Sequence, residues 1–286
     1  MWTMRGIGTK ETMKRCVRCL AVAACIAAAS PAISSAQAQQ RSFEPTVGQS
    51  GKDVVWVPTP DVLVEKMLDL AQVTANDFVM DLGSGDGRNI IAAAKRGARA
   101  VGVEFNAQMV ELSRRNAAEA GVSDKATFVE GDMYEADISK ANALVLFLLP
   151  TNLERLTNKF LDLRPGTRIV DNTFAIPGWE PDVTEKVEND TCSTWCTALL
   201  WIVPAKVRGT WRSEQGDLTL TQSFQVISGT LATGGTSSSL ENATLRGDQI
   251  SFTAGGATYS GRVNGDSIDG TVRSSQGERR WTATRR

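Results

Sequence analysis

Short apolar runs alternate with helical stretches from residue 60 to about residue 204. After Pro60, apolar residues recur at intervals of three and four, which predicts a helix. Further helices are predicted over residues 89–96, 107–120 and 153–163, and strands over 78–82, 100–104, 127–130, 143–149, 167–172, 183–189 and 197–203. Strands that alternate with helices of this length form βαβ units. We therefore expect an α/β fold with a parallel, seven-stranded, Rossmann-like sheet and helices on both faces.

The pattern changes after Pro204. Glycine-containing turn sequences recur along the rest of the chain, and the segments between them alternate apolar and polar residues. About eight short strands with such spacing predict an antiparallel barrel or sandwich. The predicted organisation is a targeting segment at residues 1–38, a polar linker at 39–51, an α/β domain at 52–204 and an all-β domain at 205–286.

The N-terminus has the three parts of a secretory signal peptide. A basic stretch at residues 13–18 precedes an apolar run at 19–29, and Ala36-Gln37-Ala38 provides a cleavage pattern. The apolar run is shorter than the roughly 20 residues that cross a bilayer, so no transmembrane segment is expected after cleavage. The expected location is secreted or periplasmic. Two alternatives are a lipid attached to Cys25, and an unused signal that leaves the protein in the cytoplasm.

The chain contains no histidine, which limits its chemistry. Nucleophiles activated by histidine and the usual zinc ligand are excluded. Cleavage after Ala38 would leave only Cys192 and Cys196. In an exported protein this pair indicates a disulfide, although two unlinked thiols are the alternative. No metal site is expected.

Charge is unevenly distributed. Residues 41–204 carry 16 lysines and arginines against 24 aspartates and glutamates, and residues 205–286 carry 10 against 7. Binding to nucleic acid requires a surplus of basic residues, so no nucleic-acid partner is expected. The arginines near the C-terminus are interpreted as a solvated chain end rather than as a site for an anionic partner.

A glycine-rich turn follows the first predicted strand. The sequence Asp81-Leu82-Gly83-Ser84-Gly85-Asp86-Gly87 leads into a helix, whose N-terminal N–H groups attract a carboxylate. The dinucleotide-binding pattern G-x-G-x-x-G would place its third glycine at Arg88. The observed D-x-G-x-G-x-G spacing favours a different nucleoside cofactor.

Acidic residues follow the next two predicted strands. Glu104 ends the second strand, where a carboxylate can accept hydrogen bonds from two ribose hydroxyls. Asp132, followed by Met133, comes after the third strand in a position suited to an adenine amino group. Because the carboxyl ends of neighbouring parallel strands form the binding edge of an open sheet, the glycine turn and these residues are expected to meet.

The turn from Asp81 to Gly87, Glu104 and Gly131-Asp132 resemble motifs I, II and III of class I S-adenosylmethionine-dependent methyltransferases. Trp56-Val57-Pro58-Thr59-Pro60 and Leu148-Leu149-Pro150 are similar to a bacterial group related to the mitochondrial lysine methyltransferases that modify an ATP synthase component and the adenine nucleotide carrier. The resemblance implies S-adenosylmethionine as the cofactor, with Glu104 at the ribose and Asp132 at the adenine. The residues that it implies at the cofactor are Asp81, Gly83, Ser84, Gly85, Gly87, Glu104, Asp132 and Met133.

The same resemblance implies a methyl acceptor that is a protein lysine or another amine. Members of that group often have a histidine after the strand that ends near Val170, whereas this chain has Asp171-Asn172-Thr173-Phe174. The residues considered for the acceptor channel are Pro150, Asn152, Asn172 and Phe174. Three further residues, Trp179, Trp195 and Trp201, could form an aromatic acceptor wall, but packing in the core or between domains is preferred.

An exported location conflicts with the use of S-adenosylmethionine, because this cofactor is made in the cytoplasm. This conflict leaves two alternatives to the methyltransferase. One is an exported nucleoside-binding protein without catalytic activity. The other is a β barrel that binds a ligand and carries a degenerate methyltransferase domain.

Overall fold

The computed structural model describes residues 43–188 and 192–286. The predicted signal peptide and the first residues of the predicted linker lie outside the described residues. In the described part of the chain, no helix is both long and apolar enough to cross a membrane.

The first part of the described chain forms a mixed, seven-stranded sheet with helices on both faces. Its elements are α1 (Asp61–Leu70), β1 (Phe78–Leu82), α2 (Arg88–Lys95), β2 (Arg99–Glu104), α3 (Ala107–Glu119), β3 (Ala126–Glu130), β4 (Ala143–Leu146), α4 (Pro150–Leu161), β5 (Arg168–Asn172), β6 (Val183–Lys186) and β7 (Thr197–Ile202). The strand order is β3-β2-β1-β4-β5-β7-β6. The pairs among β1 to β5 are parallel, whereas β7 runs antiparallel to both β5 and β6. The predicted seven-stranded α/β sheet is therefore confirmed.

Alternate residues of the central strands enter two separate apolar clusters. Val79 and Val145 face the cluster that includes residues of α1, α2 and α3, and Met80 and Leu144 face the cluster that includes residues of α4. Because both faces of the sheet are buried at its centre, β1 and β4 consist almost entirely of apolar residues. Trp201 is fully buried in the second cluster, where its Nε1–H donates to the carbonyl of Trp179 at 2.8 Å.

The region between β4 and α4 differs from its prediction. The predicted strand over residues 143–149 ends at Leu146, and α4 begins at Pro150 rather than at residue 153. Proline is favoured in the first turn of a helix because the missing N–H would have no helical partner there. The apolar residues Leu148 and Leu149 belong to a loop, and the backbone N–H of Leu148 donates to the buried carboxyl of Asp171 at 3.1 Å.

Nine strands after Pro204 form one antiparallel sheet, which is named the β barrel. The strands are β8 (Gly209–Ser213), β9 (Gly216–Ser223), β10 (Val226–Thr233), β11 (Thr236–Ser239), β12 (Glu241–Arg246), β13 (Gln249–Ala254), β14 (Ala257–Asn264), β15 (Ser267–Ser274) and β16 (Gly277–Arg285). The order is β11-β10-β9-β8-β16-β15-β14-β13-β12, so the strands at its two ends, β11 and β12, are consecutive in the chain. Leu240, which lies between them, donates its N–H to the carbonyl of Gly229 on β10. This single sheet is nearly closed, so it resembles a barrel rather than a sandwich.

Large side chains occupy the interior of the β barrel. Trp211, Phe252, Tyr259 and Trp281 are buried in one cluster, and the last three contact one another at centroid distances of 4.9 to 5.7 Å. A small barrel filled in this way has a packed core in its interior. The alternative of a ligand held inside the barrel finds no support in this packing.

The β barrel packs against the second apolar cluster of the α/β sheet. Trp179 and Phe224 stack with their ring centroids 5.2 Å apart. Nearby, Gln225 Nε2 donates to the carbonyl of Glu180 at 2.8 Å. The preferred interpretation of Trp179 and Trp201 as packing residues is confirmed.

Candidate functional site

A cleft of about 1260 Å³, counting its open mouth, lies at the carboxyl ends of β1, β2, β3 and β4. The glycine turn, Glu104, Asp132 and Met133 all line it. The carboxyl ends of parallel strands form the ligand-binding edge of open α/β sheets. Three sites that are separate in the sequence therefore meet in one cavity, as their positions after neighbouring strands predict.

The glycine turn exposes backbone to the cleft. Gly83 and Gly85 have positive φ angles of 79° and 55°, a conformation that glycine adopts without a steric penalty. A Cβ added at Gly85 would lie 2.9 Å from the ring of Trp56, which also lines the cleft. Gly85 therefore has no room for a side chain, because the ring of Trp56 packs against the turn.

Glu104 connects the glycine turn to the end of β2. Its Oε2 accepts the backbone N–H of Gly85 at 3.0 Å, and its Oε1 accepts the N–H of Asn106 at 2.9 Å. The carboxylate is half-buried and retains free lone pairs for a ligand. It has the position that the resemblance implies for a residue at the ribose, and it also fixes the shape of the turn.

Asp81 presents a buried carboxyl group at the base of the cleft. Its Oδ2 accepts from Asn89 Nδ2 at 3.0 Å, whereas its Oδ1 has no hydrogen-bond partner within residues 43–188 and 192–286. Burial raises the pKa of Asp81 to about 8. A buried carboxyl group with an unpartnered oxygen suits a cationic group of a ligand, because a nearby positive charge favours its ionised form.

Asp132 is paired with a lysine from the N-terminal side of the cleft. Lys52 Nζ lies 2.5 Å from Asp132 Oδ2, and it also lies 4.8 Å from the centroid of the Phe105 ring. The hydrogen bond from Lys52 lowers the pKa of Asp132. An adenine amino group at this position would therefore share the Asp132 carboxylate with Lys52 or displace Lys52 from it.

Residues 49–59 form one wall of the cleft, and this segment is named the strap. All eleven residues line the cavity, including Gln49, Ser50 and Gly51, which fall in the predicted linker. The strap is held by hydrogen bonds from Gly48 N to Trp56 O at 2.9 Å and from Trp56 N to Gln49 O at 2.8 Å. Its polar, aperiodic sequence is typical of a linker, and the structure places residues 49–51 of the predicted linker in the wall of the cleft.

Gly87 does not line the cleft. A Cβ at this position would lie 2.7 Å from the ring of Phe128 and 2.9 Å from Ser113 Cβ. The third glycine of the motif therefore lets α2 pack closely against β3 and α3, and its place at the cofactor stays a prediction. The neighbouring Arg88 does line the cleft, where it pairs with Asp86 and donates to the carbonyl of Thr59 at 2.8 Å.

The four acceptor-channel candidates separate into two groups. Pro150 begins α4 on the surface, and Asn152 is buried behind it with its Nδ2 donating to Tyr134 Oη at 2.7 Å. Asn172 is fully buried, 3.4 Å from Thr59 Oγ1. None of these three side chains is among the described residues that line the cleft, so the cleft gives their prediction as channel residues no support, and it stays a prediction. Phe174 does line it.

Phe147 and Trp195 accompany Phe174 in the cleft. The centroids of Phe147 and Phe174 are 6.1 Å apart, and those of Phe174 and Trp195 are 5.2 Å apart. The sequence pattern groups Trp195 with Trp179 and Trp201, but of these three only Trp195 is exposed, at 38%. The pattern also misses Phe147, because the apolar run after β4 favours a buried strand there.

Comparisons with known proteins agree with the motifs. The family model of the ANTKMT methyltransferase domain matches residues 81–183. A protein-lysine N-methyltransferase of Saccharolobus islandicus is 44% identical over 153 residues, which are 52% of this chain and 94% of that protein. The adenine nucleotide translocase lysine N-methyltransferase of Mus musculus is 36% identical over 120 residues, which are 41% of this chain and 52% of that protein.

Among solved structures, an RNA methyltransferase from Salinibacter ruber in complex with S-adenosyl-L-homocysteine is 42% identical. The match covers 53% of this chain and 96% of that chain, with a TM-score of 0.49. The extent and identity of the Saccharolobus match decide the assignment. This chain belongs to the class I S-adenosylmethionine-dependent methyltransferases, in the group related to the lysine methyltransferases of the ATP synthase and the adenine nucleotide translocase.

Proposed function

We propose that this methyltransferase transfers its methyl group to the side-chain amine of a protein lysine. The proposal is supported by the Saccharolobus relative, which is named a protein-lysine N-methyltransferase, and by three aromatic rings beside the glycine turn. S-adenosylmethionine supplies the methyl group: a new C–N bond forms as the C–S bond breaks, and the sulfur keeps the electron pair. The single observation that carries the proposal is one cleft containing both the cofactor motifs and an aromatic wall.

The cofactor would be held by residues from three strand ends. Asp81, with its unpartnered oxygen, would accept the amino group of the methionine part, and Glu104 would accept the ribose hydroxyls. Asp132 and Met133 would contact the adenine. Gly83 and Gly85 would bring backbone against the ligand, and Ser84 would contribute its hydroxyl, which is buried without a partner in the described part of the chain.

The chain has no histidine to serve as a general base. Asp171 stands near the site but does not line it, and burial raises its pKa well above the ordinary value. Its carboxyl group accepts the N–H of Leu148 and so holds the loop that carries Phe147. Removal of water around the arriving ammonium lowers the pKa of that ammonium. Alignment of the neutral amine with the methyl group then provides much of the rate enhancement.

The test is transfer of a tritiated methyl group to a cell-envelope extract, followed by mass spectrometry of the labelled peptides. We expect label on lysine residues with the wild type and none with the Glu104→Ala variant. Label on another residue type or on lipid would contradict the lysine assignment. Binding of S-adenosylmethionine without any transfer would support the non-catalytic alternative.

The raised pKa of Asp81 makes a prediction about pH. Below about pH 8 the free protein holds a proton on Asp81, and a cation bound beside it favours the ionised form. Binding should therefore release up to one proton, and affinity for S-adenosylmethionine should rise as the pH rises towards 8. Calorimetry in two buffers of different ionisation enthalpy measures this release. The Asp81→Asn variant should show neither effect, and an equal proton release from that variant would exclude Asp81 as the source.

We also propose that the protein is secreted or periplasmic. The signal-peptide pattern and the disulfide between Cys192 and Cys196 support this location, because disulfides persist mainly outside the cytoplasm. The predicted cleavage site would place Gln39 at the mature N-terminus. N-terminal sequencing of the protein from its native cells tests the proposal, and a mature chain that begins at Met1 or Met13 would contradict it.

A further inference from the structure

Three aromatic rings from different segments converge in the cleft. Phe147 follows β4, Phe174 follows β5 and Trp195 precedes β7, and the two centroid distances from Trp195 are 6.1 Å to Phe147 and 5.2 Å to Phe174. We name these three side chains the aromatic recess. They line the same cavity as the glycine turn, so a group bound among them would lie in the compartment that holds the cofactor.

The recess lies at the margin of an apolar core: Phe174 packs against the second apolar cluster, whereas Phe147 and Trp195 belong to none of the three clusters of the described residues. Trp195 is 38% exposed, whereas Trp179 and Trp201 are 1% and 0% exposed. Phe147 and Phe174 are half-buried. Exposed aromatic groups clustered at a cleft mark a binding surface, since a core would bury them.

The backbone at the recess adopts conformations that bulky residues rarely adopt. Trp195 has φ 59° and Thr173, beside Phe174, has φ 70°. Such conformations persist when the surroundings enforce them, and they concentrate at functional sites. Here a covalent bond and a hydrogen bond constrain the backbone. The Cys192–Cys196 disulfide closes a loop that contains Trp195, and Thr173 N donates to the carbonyl of Thr197 at 2.7 Å.

The charge of the cleft favours a cation. Five acidic residues line it, of which all but the protonated Asp81 are taken as charged near neutral pH, and only two basic residues, Lys52 and Arg88, are among the described residues that do so. Each of the two is already paired with an aspartate of the cleft. A cation within about 6 Å of the face of an aromatic ring is attracted by the electrons of the ring.

We propose that the aromatic recess binds the alkylammonium group of the acceptor, and that the Cys192–Cys196 disulfide is required because it holds Trp195 as the third wall. This inference rests on the proposed function. The alkyl chain packs against the rings, and the ammonium group is attracted to their faces on arrival. The disulfide and Trp195 lie outside residues 81–183, the part of the chain that the ANTKMT family model matches.

Reduction of the disulfide should therefore weaken acceptor binding without affecting the cofactor. The residues assigned to the cofactor lie on β1, β2 and β3 and in the turns that follow them. The disulfide loop precedes β7, which is separated from β1 in the sheet by β4 and β5. Loss of Trp195 from its position opens one side of the recess and leaves the glycine turn and Glu104 in place.

The test uses the full chain labelled with 5-fluorotryptophan and saturated with S-adenosylhomocysteine. The Trp195→Phe variant assigns the fluorine resonance of Trp195. Butylammonium, which reproduces the lysine side chain, is titrated into the oxidised protein, the reduced protein and the Cys192→Ser/Cys196→Ser variant. Butanol serves as the uncharged control, and the buried Trp179 serves as an internal control.

We expect a saturable shift of the Trp195 resonance in the oxidised protein, and binding at least about fivefold weaker after reduction and in the double variant. Calorimetry should give the same affinity for S-adenosylhomocysteine in all three forms. No shift in the oxidised protein, or an equal shift with butanol, would overturn the recess. Equal binding in oxidised and reduced forms would overturn the role of the disulfide. A parallel loss of S-adenosylhomocysteine binding would also overturn it, because the disulfide would then support the whole cleft.

Discussion

Replacing Glu104 by alanine should lower the affinity for S-adenosylmethionine by about 100-fold or more. Two hydrogen bonds from ribose hydroxyls to a carboxylate contribute about 1.5–3 kcal/mol each, and about 1.4 kcal/mol corresponds to tenfold in affinity. Glu104 also accepts the backbone N–H groups of Gly85 and Asn106. Its removal therefore leaves the N–H of Gly85 without its partner on β2, in addition to the lost ligand contacts, whereas Gly83 and Ser84 keep their hydrogen bonds to the carbonyl of Val103.

Glu130 provides a matched control for this substitution. It ends β3, is paired in register with Glu104 across the two strands, and is exposed outside the cleft. Glu130→Ala should leave the affinity for S-adenosylmethionine unchanged. Glu104→Gln retains one acceptor oxygen, so its affinity should lie between those of the two alanine variants. Calorimetric titration of the three variants measures these effects. Equal affinities for Glu104→Ala and Glu130→Ala would show that the ribose is not bound at the end of β2.

Replacing Trp201 by alanine should reduce the free energy of unfolding by about 3–5 kcal/mol, the range for removal of a large buried aromatic side chain. Trp201 is fully buried and donates its indole N–H to the carbonyl of Trp179. Trp179 in turn stacks on Phe224 of the β barrel. The substitution therefore leaves a cavity at the place where the two sheets are joined.

Trp195→Ala is the control for the effect on stability. Trp195 is partly exposed at the cleft, so its truncation should cost about 1 kcal/mol or less, as is usual for substitutions outside the core. Urea unfolding followed by far-ultraviolet circular dichroism compares the two variants with the wild type. Similar losses in both variants would mean that Trp201 does not anchor the packing between the sheets.

The sheet and most of the cofactor site were predictable because their signals are local. The strands appear as short apolar runs because both faces of the sheet are buried, as at Val79 and Met80, and the end of each strand fixes the place of the polar residue that follows it. Glu104 and Asp132 could therefore be placed at one edge of the sheet. The sequence could not distinguish Gly87 from Gly83 and Gly85, because the packing at Gly87 depends on the ring of Phe128, which is remote in the sequence.

The strap and the aromatic recess lack such signals. Lys52 pairs with Asp132 across 80 positions of the chain, and nothing in the polar segment around it has a period. Trp195 looks the same as Trp179 and Trp201 in the sequence, since a tryptophan has one hydrophobicity whether it lies in a core or in a cleft. Tertiary packing separates them: the disulfide loop holds Trp195 at the cleft, and the sheet buries the other two.

The most direct test of the cofactor site is calorimetric titration of the wild-type protein with S-adenosylmethionine near neutral pH. We predict saturable binding at one site per chain, displaced by S-adenosylhomocysteine. Absence of binding for both compounds, with the protein folded by circular dichroism, would contradict the assignment of the cleft at the ends of β1, β2 and β3.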